Sequence, residues 1–136
     1  MSKSVRWVLA LTRMLAAAGA ARAEGEWTEI GSEKGSAGNR AHAEYVEFEL
    51  AERSSTRFRW DVTVNPPQSN KHNPYFRLKL ERWAERNGRG AWQNVGQVVV
   101  LHQTNRGEQS TTVPAGKYQL TIYAQDVSFE VGVDRR

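Results

Sequence analysis

Alternation at a period of two constrains this chain more than any other feature. In "AEYVEFEL", Val46, Phe48 and Leu50 fall on one side, while Tyr45, Glu47 and Glu49 fall on the other. "TRFRWDVTV" sets Phe58, Trp60, Val62 and Val64 against Arg57, Arg59, Asp61 and Thr63, and "YFRLKLERW" sets Phe76, Leu78 and Leu80 against Arg77, Lys79 and Glu81. Successive side chains of a strand point to opposite faces, so each stretch reads as a strand with one face on a core and one in water. A helical period is hard to find. The chain is expected to be all-β, an antiparallel β-sandwich of about eight strands. "VGQVVVLHQ" is more continuously apolar, and is expected to be a central strand covered on both sides.

Turn chemistry divides these strands. Residues 51–55, Ala-Glu-Arg-Ser-Ser, are expected to close a hairpin between the first two of them. Asn87-Gly88 suits a turn that needs positive φ, and sits between Trp83 and Trp92 as a second hairpin. Asn105-Arg106-Gly107 marks a third break. Residues 65–74, bracketed by Pro66-Pro67 and Pro74, read as an ordered crossover loop. The polar, glycine-rich segment 31–40 is expected to be a mobile loop after a short strand from Trp27 to Ile30. Pro114-Ala115-Gly116 turns the chain into two further strands, Tyr118, Leu120 and Ile122 and then Val127, Phe129, Val131 and Val133. The last of these is expected to close a sheet.

Charge follows the same pattern. Residues 24–52 carry eight acids against Lys34 and Arg40. Glu47 and Glu49 are expected to face Arg57 and Arg59 across the hairpin, where such pairs favour one register over a slipped one.

The N-terminus reads as an address. A short basic region with Lys3 and Arg6 precedes "VLALTRMLAAAGA" and the small-x-small triplet Ala21-Arg22-Ala23, a secretory leader over 1–23 with cleavage after Ala23. The apolar run is shorter than the ~20 residues of a bilayer crossing, so no permanent membrane span is expected. One domain then covers 24–136, periplasmic or secreted. Without Lys3, Arg6, Arg13 and Arg22, the 19 Lys and Arg fall to fifteen against 15 Asp and Glu. The basic balance belonged to the leader, and a neutral domain has little counterion-release drive toward nucleic acid. There are no cysteines, so the core must hold an exported fold without disulfides.

No residue constellation names a reaction. His42, His72 and His102 lie at no metal-ligand spacing, and neither a Gly-x-Ser-x-Gly nor a phosphate-binding glycine loop occurs. No catalytic residue, metal or cofactor is assigned, and the chain is read as a non-enzyme that acts by binding. Two surfaces are candidates. Trp83 and Trp92 flank the Asn87-Gly88 turn. They form either a flat apolar platform of the kind sugars need or a pair packed on itself that caps the open end of the sandwich. Asn70, Lys71 and His72 crowd donors and acceptors onto the proline-bracketed loop. That loop lies at the opposite end from the tryptophans, because the 75–83 strand runs away from it.

The stretch "TTVPAGKYQLTIYAQDVSFEVGV" resembles the end of the bacterial pre-peptidase C-terminal domains. Their ending runs apolar residue, Pro or Ala, Ala, Gly, any residue, Tyr, then two alternating strands. "VEFELAERSSTRFRWDVTV" and "NPYFRLKLERW" fall where that family has early strands, so the likeness extends over most of 43–133. It implies a jelly-roll sandwich in a secreted protein, non-catalytic, of a kind that in some members binds a polymer such as collagen. The family's Asp-rich segment is replaced here by Asn73-Pro74-Tyr75-Phe76, which argues against carrying over a calcium site. The sequence thus points to a binding module for an extracellular or periplasmic glycan or protein. The alternative is a periplasmic inhibitor or immunity protein that blocks a hydrolase or toxin with its loop.

Overall fold

The structure, a computed structural model, describes residues 26–136. The leader expected over 1–23 lies outside the described residues. Eight strands follow in order: β1 (Thr28–Ala37), β2 (His42–Leu50), β3 (Ser54–Val64), β4 (Tyr75–Arg86), β5 (Arg89–Leu101), β6 (Asn105–Val113), β7 (Gly116–Gln125) and β8 (Val127–Arg135). They form two four-stranded sheets, β1-β8-β3-β6 and β2-β7-β4-β5, with every pairing antiparallel. This alternation of strands between two sheets is the jelly roll. No helix among the described residues is long and apolar enough to cross a membrane.

The apolar positions of the alternating stretches meet between the sheets. Val46, Phe48 and Leu50 of β2 and Phe76, Leu78 and Leu80 of β4 pack against Phe58, Trp60 and Val62 of β3, with the inward residues of β7 and β8 between them. Rings interlock within and between the sheets: Phe48 stacks on its cross-strand partner Tyr118 at 5.4 Å, and Phe76 meets Phe129 across the gap at 5.9 Å. Such pairs contribute about 0.5–1.5 kcal/mol beyond the area they bury.

Only one pair of consecutive strands shares a sheet. β4 and β5 form a hairpin through Asn87 and Gly88, whose φ values of 55° and 77° meet the type I′ requirement for two positive dihedrals. Every other connection crosses between sheets, including residues 51–53, where a hairpin was expected. β2 pairs with β7, so Glu47 faces Gln119 and Glu49 faces Lys117. β3 lies in the other sheet, with Arg57 and Arg59 beside Asp134. The expected Glu–Arg register between these strands is therefore wrong. Complementary charge marked two outward faces, but they belong to different sheets.

Three further expectations are corrected by packing. Residues 31–37 belong to β1 and pair with β8 rather than forming a loop. Their glycines serve close approach: a Cβ on Gly31 would lie 2.8 Å from Val46 Cγ1, and one on Gly35 2.9 Å from Phe129. The 105–107 segment opens β6, and the break falls just before it. The most continuously buried strand is β7, where Tyr118 through Ile122 are all buried, the outward Gln119 and Thr121 beneath neighbouring side chains, and β5 lies at the edge. Two register shifts opposite β4 mark bulges in β5, which bend an edge strand and disfavour pairing with another chain. β8 does close a sheet, from inside it, between β1 and β3.

The Pro114-Ala115-Gly116 crossing is pinned by the tyrosine two residues on. Tyr118 Oη donates to Pro114 O at 2.8 Å, and Arg82 Nη2 donates to Ala115 O at 2.8 Å. The Gly-x-Tyr spacing is thus a corner in which a ring from the core holds a backbone carbonyl at the rim, as in other β-sandwiches. Burial pushes the Tyr118 hydroxyl above its ordinary pKa, and the Arg82 charge partly opposes this.

Candidate functional site

The two surfaces singled out in the sequence lie at opposite ends of β4. The loop 65–74 leads into Tyr75, and Trp83 is eight residues further along, about 27 Å at strand rise.

At the loop end, one buried residue ties three crossings together. Asp126, at φ 54°, turns β7 into β8. Its N–H donates to Gly38 O at 2.7 Å, its carbonyl accepts from Asn65 N at 3.0 Å, and its Oδ2 accepts from Asn73 N at 2.8 Å. His72 turns inward and donates from Nε2 to Asn65 O at 2.9 Å. The Lys71 and His72 amides fold back on Ser69, while the Asn70 and Lys71 side chains are exposed. A polar cleft of about 450 Å³ opens here, lined by Asn39, Asn65, Gln68, Ser69, His72 and Asp126 among others. Of the three loop residues named from the sequence, only His72 reaches it.

At the other end, Trp83 and Trp92 are direct cross-strand partners. Their rings meet edge to face at 5.2 Å and 69°. They pack on each other, but on the outer face of the β2-β7-β4-β5 sheet and not across the mouth of the sandwich. Both stay partly exposed. Trp83 lies over Gly90, where an added Cβ would come within 1.9 Å of Cζ2, so the ring has its place only because that residue lacks a side chain. On its β7 side, Lys117 Nζ stands 5.6 Å from the Trp83 ring centre.

From the tryptophans a polar row runs along the same face. The outward residues of β4 (Glu81, Lys79 and Arg77) lie beside Gln119, Thr121 and Tyr123 of β7. Glu81 is the centre of this row: its Oε1 accepts from Gln119 Nε2 at 3.0 Å and from Thr121 Oγ1, and Lys79 Nζ lies 3.6 Å from its Oε2. Burial raises the Glu81 carboxyl, but the two hydrogen bonds and the Lys79 charge together hold it below its ordinary value. Asn94 and Gln97 of β5 extend the row toward the edge, opposite Glu81 and Lys79, and both are exposed. Fixed donors and acceptors beside flat rings can orient a ligand that has apolar faces and hydroxyl edges.

The sequence singles out the tryptophans as candidates but not the row. Glu81, Gln119 and Thr121 lie on two strands 38 and 40 residues apart, and nothing in the local pattern of either announces the other. His42 lies elsewhere, 2.6 Å from Glu44, and His102 packs against Tyr75 at 5.6 Å. No cluster of His, Asp and Glu among the described residues could hold a metal ion.

No protein-family model and no curated protein sequence matches this chain, so what it shares with the pre-peptidase C-terminal expectation is the eight-stranded sandwich. Solved structures do resemble it. A family 16 carbohydrate-binding module aligns with 74% of this chain and 71% of its own, at a TM-score of 0.41 and 10% identity. A xylan-binding domain of family 22 covers 83% and 85%, at 0.37 and 11%. TmCBM61 in complex with β-1,4-galactotriose covers 91% and 79%, at 0.37 and 10%. At such identities these likenesses concern the fold alone.

Proposed function

We propose that this protein is a non-catalytic, glycan-binding β-sandwich module that works outside the cytoplasm. The observation that carries the reading is the outer face of the β2-β7-β4-β5 sheet, where a partly exposed tryptophan pair adjoins side chains already fixed by hydrogen bonds. Sugar rings present C–H faces to aromatic planes and hydroxyls to polar groups, and this face offers both in one line. The polar groups are held by one another, so little ordering cost remains to oppose binding. From the resemblance in its closing strands the reading keeps only the character of a polymer-binding appendage. Export rests on the basic and apolar N-terminus that ends in Ala21-Arg22-Ala23. Mature protein from its native host is expected to begin at Glu24.

The test is titration with soluble oligosaccharides from a panel of extracellular polymers. Trp83→Ala and Trp92→Ala are expected to weaken binding about ten- to a hundredfold, as loss of a stacked ring does. Binding that survives both substitutions would rule this face out.

A second reading, an envelope inhibitor of a hydrolase or toxin, is favoured by the polar cleft beside Asn65 and the exposed Asn70 and Lys71. Under it, alanine at Asn70, Lys71 and His72 abolishes capture of a protein partner and leaves sugar binding untouched.

A further inference from the structure

We infer that the end of this face remote from the tryptophans is a subsite for an anionic group, so that the glycan is an acidic one that carries carboxylates or sulfate esters. This rests on the glycan-binding reading above and names its ligand class. The residues are Arg77, Lys79 and Tyr123. Arg77 stands between the buried Phe76 and Leu78, so its side chain lies on the outer face, beside its β7 partner Tyr123. Its guanidinium carbon is 5.5 Å from the Tyr123 ring centre, and Lys79 Nζ is 5.8 Å from the same ring. Two cations thus share one aromatic plane on an otherwise polar surface.

On the other sheet, Arg57 and Arg59 are bound to Asp134 and Arg106 to Asp61, and on β4 itself Arg82 is bound to the Ala115 carbonyl. Among the described residues no carboxylate pairs with Arg77, and its Nε is buried without a hydrogen-bond partner. The Nε is shielded by the side chains around it, whereas the terminal nitrogens make no hydrogen bond and are not buried, so these are the donors a ligand oxygen can reach. The guanidinium fork matches the two oxygens of a carboxylate or sulfate, and the tyrosine ring holds it in place meanwhile. Lys79 adds a second positive charge, shared with Glu81. Tyr123 pairs with Ala43 on its far side, so its direct neighbour on β2 is short. Arg77 is six residues from Trp83 along β4, about 20 Å at strand rise. An extended oligosaccharide can therefore stack on the tryptophans and present a charged substituent to Arg77.

The experiment is calorimetric titration of the mature protein with three probes: an oligogalacturonate, dextran sulfate and unmodified dextran. Arg77→Gln, Arg77→Lys, Lys79→Gln, Trp83→Ala and, as a control for non-specific charge, Arg53→Gln are titrated alongside, each checked by thermal melting. The oligogalacturonate is expected to bind and the dextran to bind far more weakly. Arg77→Gln weakens the acidic probe about ten- to a hundredfold, Arg77→Lys recovers part of the loss, and Arg53→Gln changes nothing. If dextran sulfate binds in place of the uronate and shows the same losses, the anionic subsite stands and its natural group is a sulfate ester. Equal binding of dextran and the acidic probes, abolished by Trp83→Ala and indifferent to Arg77→Gln, overturns the subsite but leaves the glycan face. Binding lost equally in Arg53→Gln and Arg77→Gln overturns it as diffuse charge attraction. Indifference to both Trp83 and Arg77, or no binding of any probe, overturns the face as well.

Discussion

The two sheets turn different outer faces to water. On β1-β8-β3-β6 the charges are matched. Asp134, 3% exposed, accepts from Arg57 Nε at 2.8 Å and from Arg59 Nε at 2.6 Å and Nη2 at 3.0 Å. Arg59 also reaches Glu29 at 3.1 Å, and Arg106 binds Asp61 at 2.6 Å. Trp27 is held between Arg57 and Arg136, at 4.6 and 4.3 Å from ring centre to guanidinium carbon. The arginines of β3 and β6 on this surface each have a carboxylate partner. On β2-β7-β4-β5 the middle of the row is satisfied but its two ends are not: tryptophans partly bare at one, an orphaned arginine nitrogen at the other. The difference separates a face whose arginines are paired with carboxylates from one, proposed for binding, where Arg77 has no such partner.

That contrast is sharpened by substitutions on each side. The largest effect is expected from Asp134→Ala, which leaves Arg57 and Arg59 beside an empty site. Breaking a fully buried pair costs ~3–5 kcal/mol; since both guanidinium groups keep contact with water, about 2–3 kcal/mol is expected here, a fall in Tm of roughly 10 °C or more. Ligand affinity at temperatures where the variant is folded should not change. An affinity loss matching the stability loss would break the comparison.

A smaller effect is expected at Glu81, and it depends on pH. Its carboxyl is held below the unfolded value of 4.5, so the charged form contributes stability above that pH. That contribution is lost as pH falls through the folded value. Glu81→Gln should therefore have a flatter Tm between pH 5 and pH 3 than the parent protein, the two curves converging at the acid end. The smallest effect is expected from Arg77→Gln, which removes an orphaned donor and a cation–π contact of about 0.5–1 kcal/mol that oppose each other. A Tm within about 2 °C of the parent would place this residue with binding and not with folding. A drop as large as that of Asp134→Ala would erase the distinction between the faces.

The sequence carried the strands better than their partners. Phe58, Trp60 and Val62, or Phe76, Leu78 and Leu80, declare an inward face by period alone, because side-chain direction is a local property. Asn87-Gly88 declared the one true hairpin for the same reason: positive φ is a property of two residues. Partner choice is not local. Arg57 finds its carboxylate 77 residues away, across a connection that changes sheets, and the alternation of β2 reads the same whichever strand lies beside it. The glycines misled in the opposite direction. Gly31 and Gly35 look like a loop when read as composition, and only the structure shows Gly31 making room for Val46 of the facing sheet and Gly35 for the Phe129 ring of the neighbouring strand. The candidate site was half legible. Indole rings are conspicuous in any sequence, whereas the Arg77 nitrogen is notable for a bond it does not make, which no sequence displays.

The central positions of β7 and β8 also set an order of events. β1 and β3 are not hydrogen-bonded to each other, and each completes its ladder only against β8; β2 and β4 stand in the same relation to β7. A nascent chain that has delivered its first six strands holds one hairpin, β4–β5, and the β3–β6 pair, with four strands still waiting for a neighbour. Nearly all the sandwich must therefore form after the strands on either side of Asp126 have left the ribosome, through contacts of long sequence separation, which fold slowly. During that interval the apolar faces of β1 to β4 are exposed, and the cell must keep the polypeptide from aggregating until β7 and β8 dock.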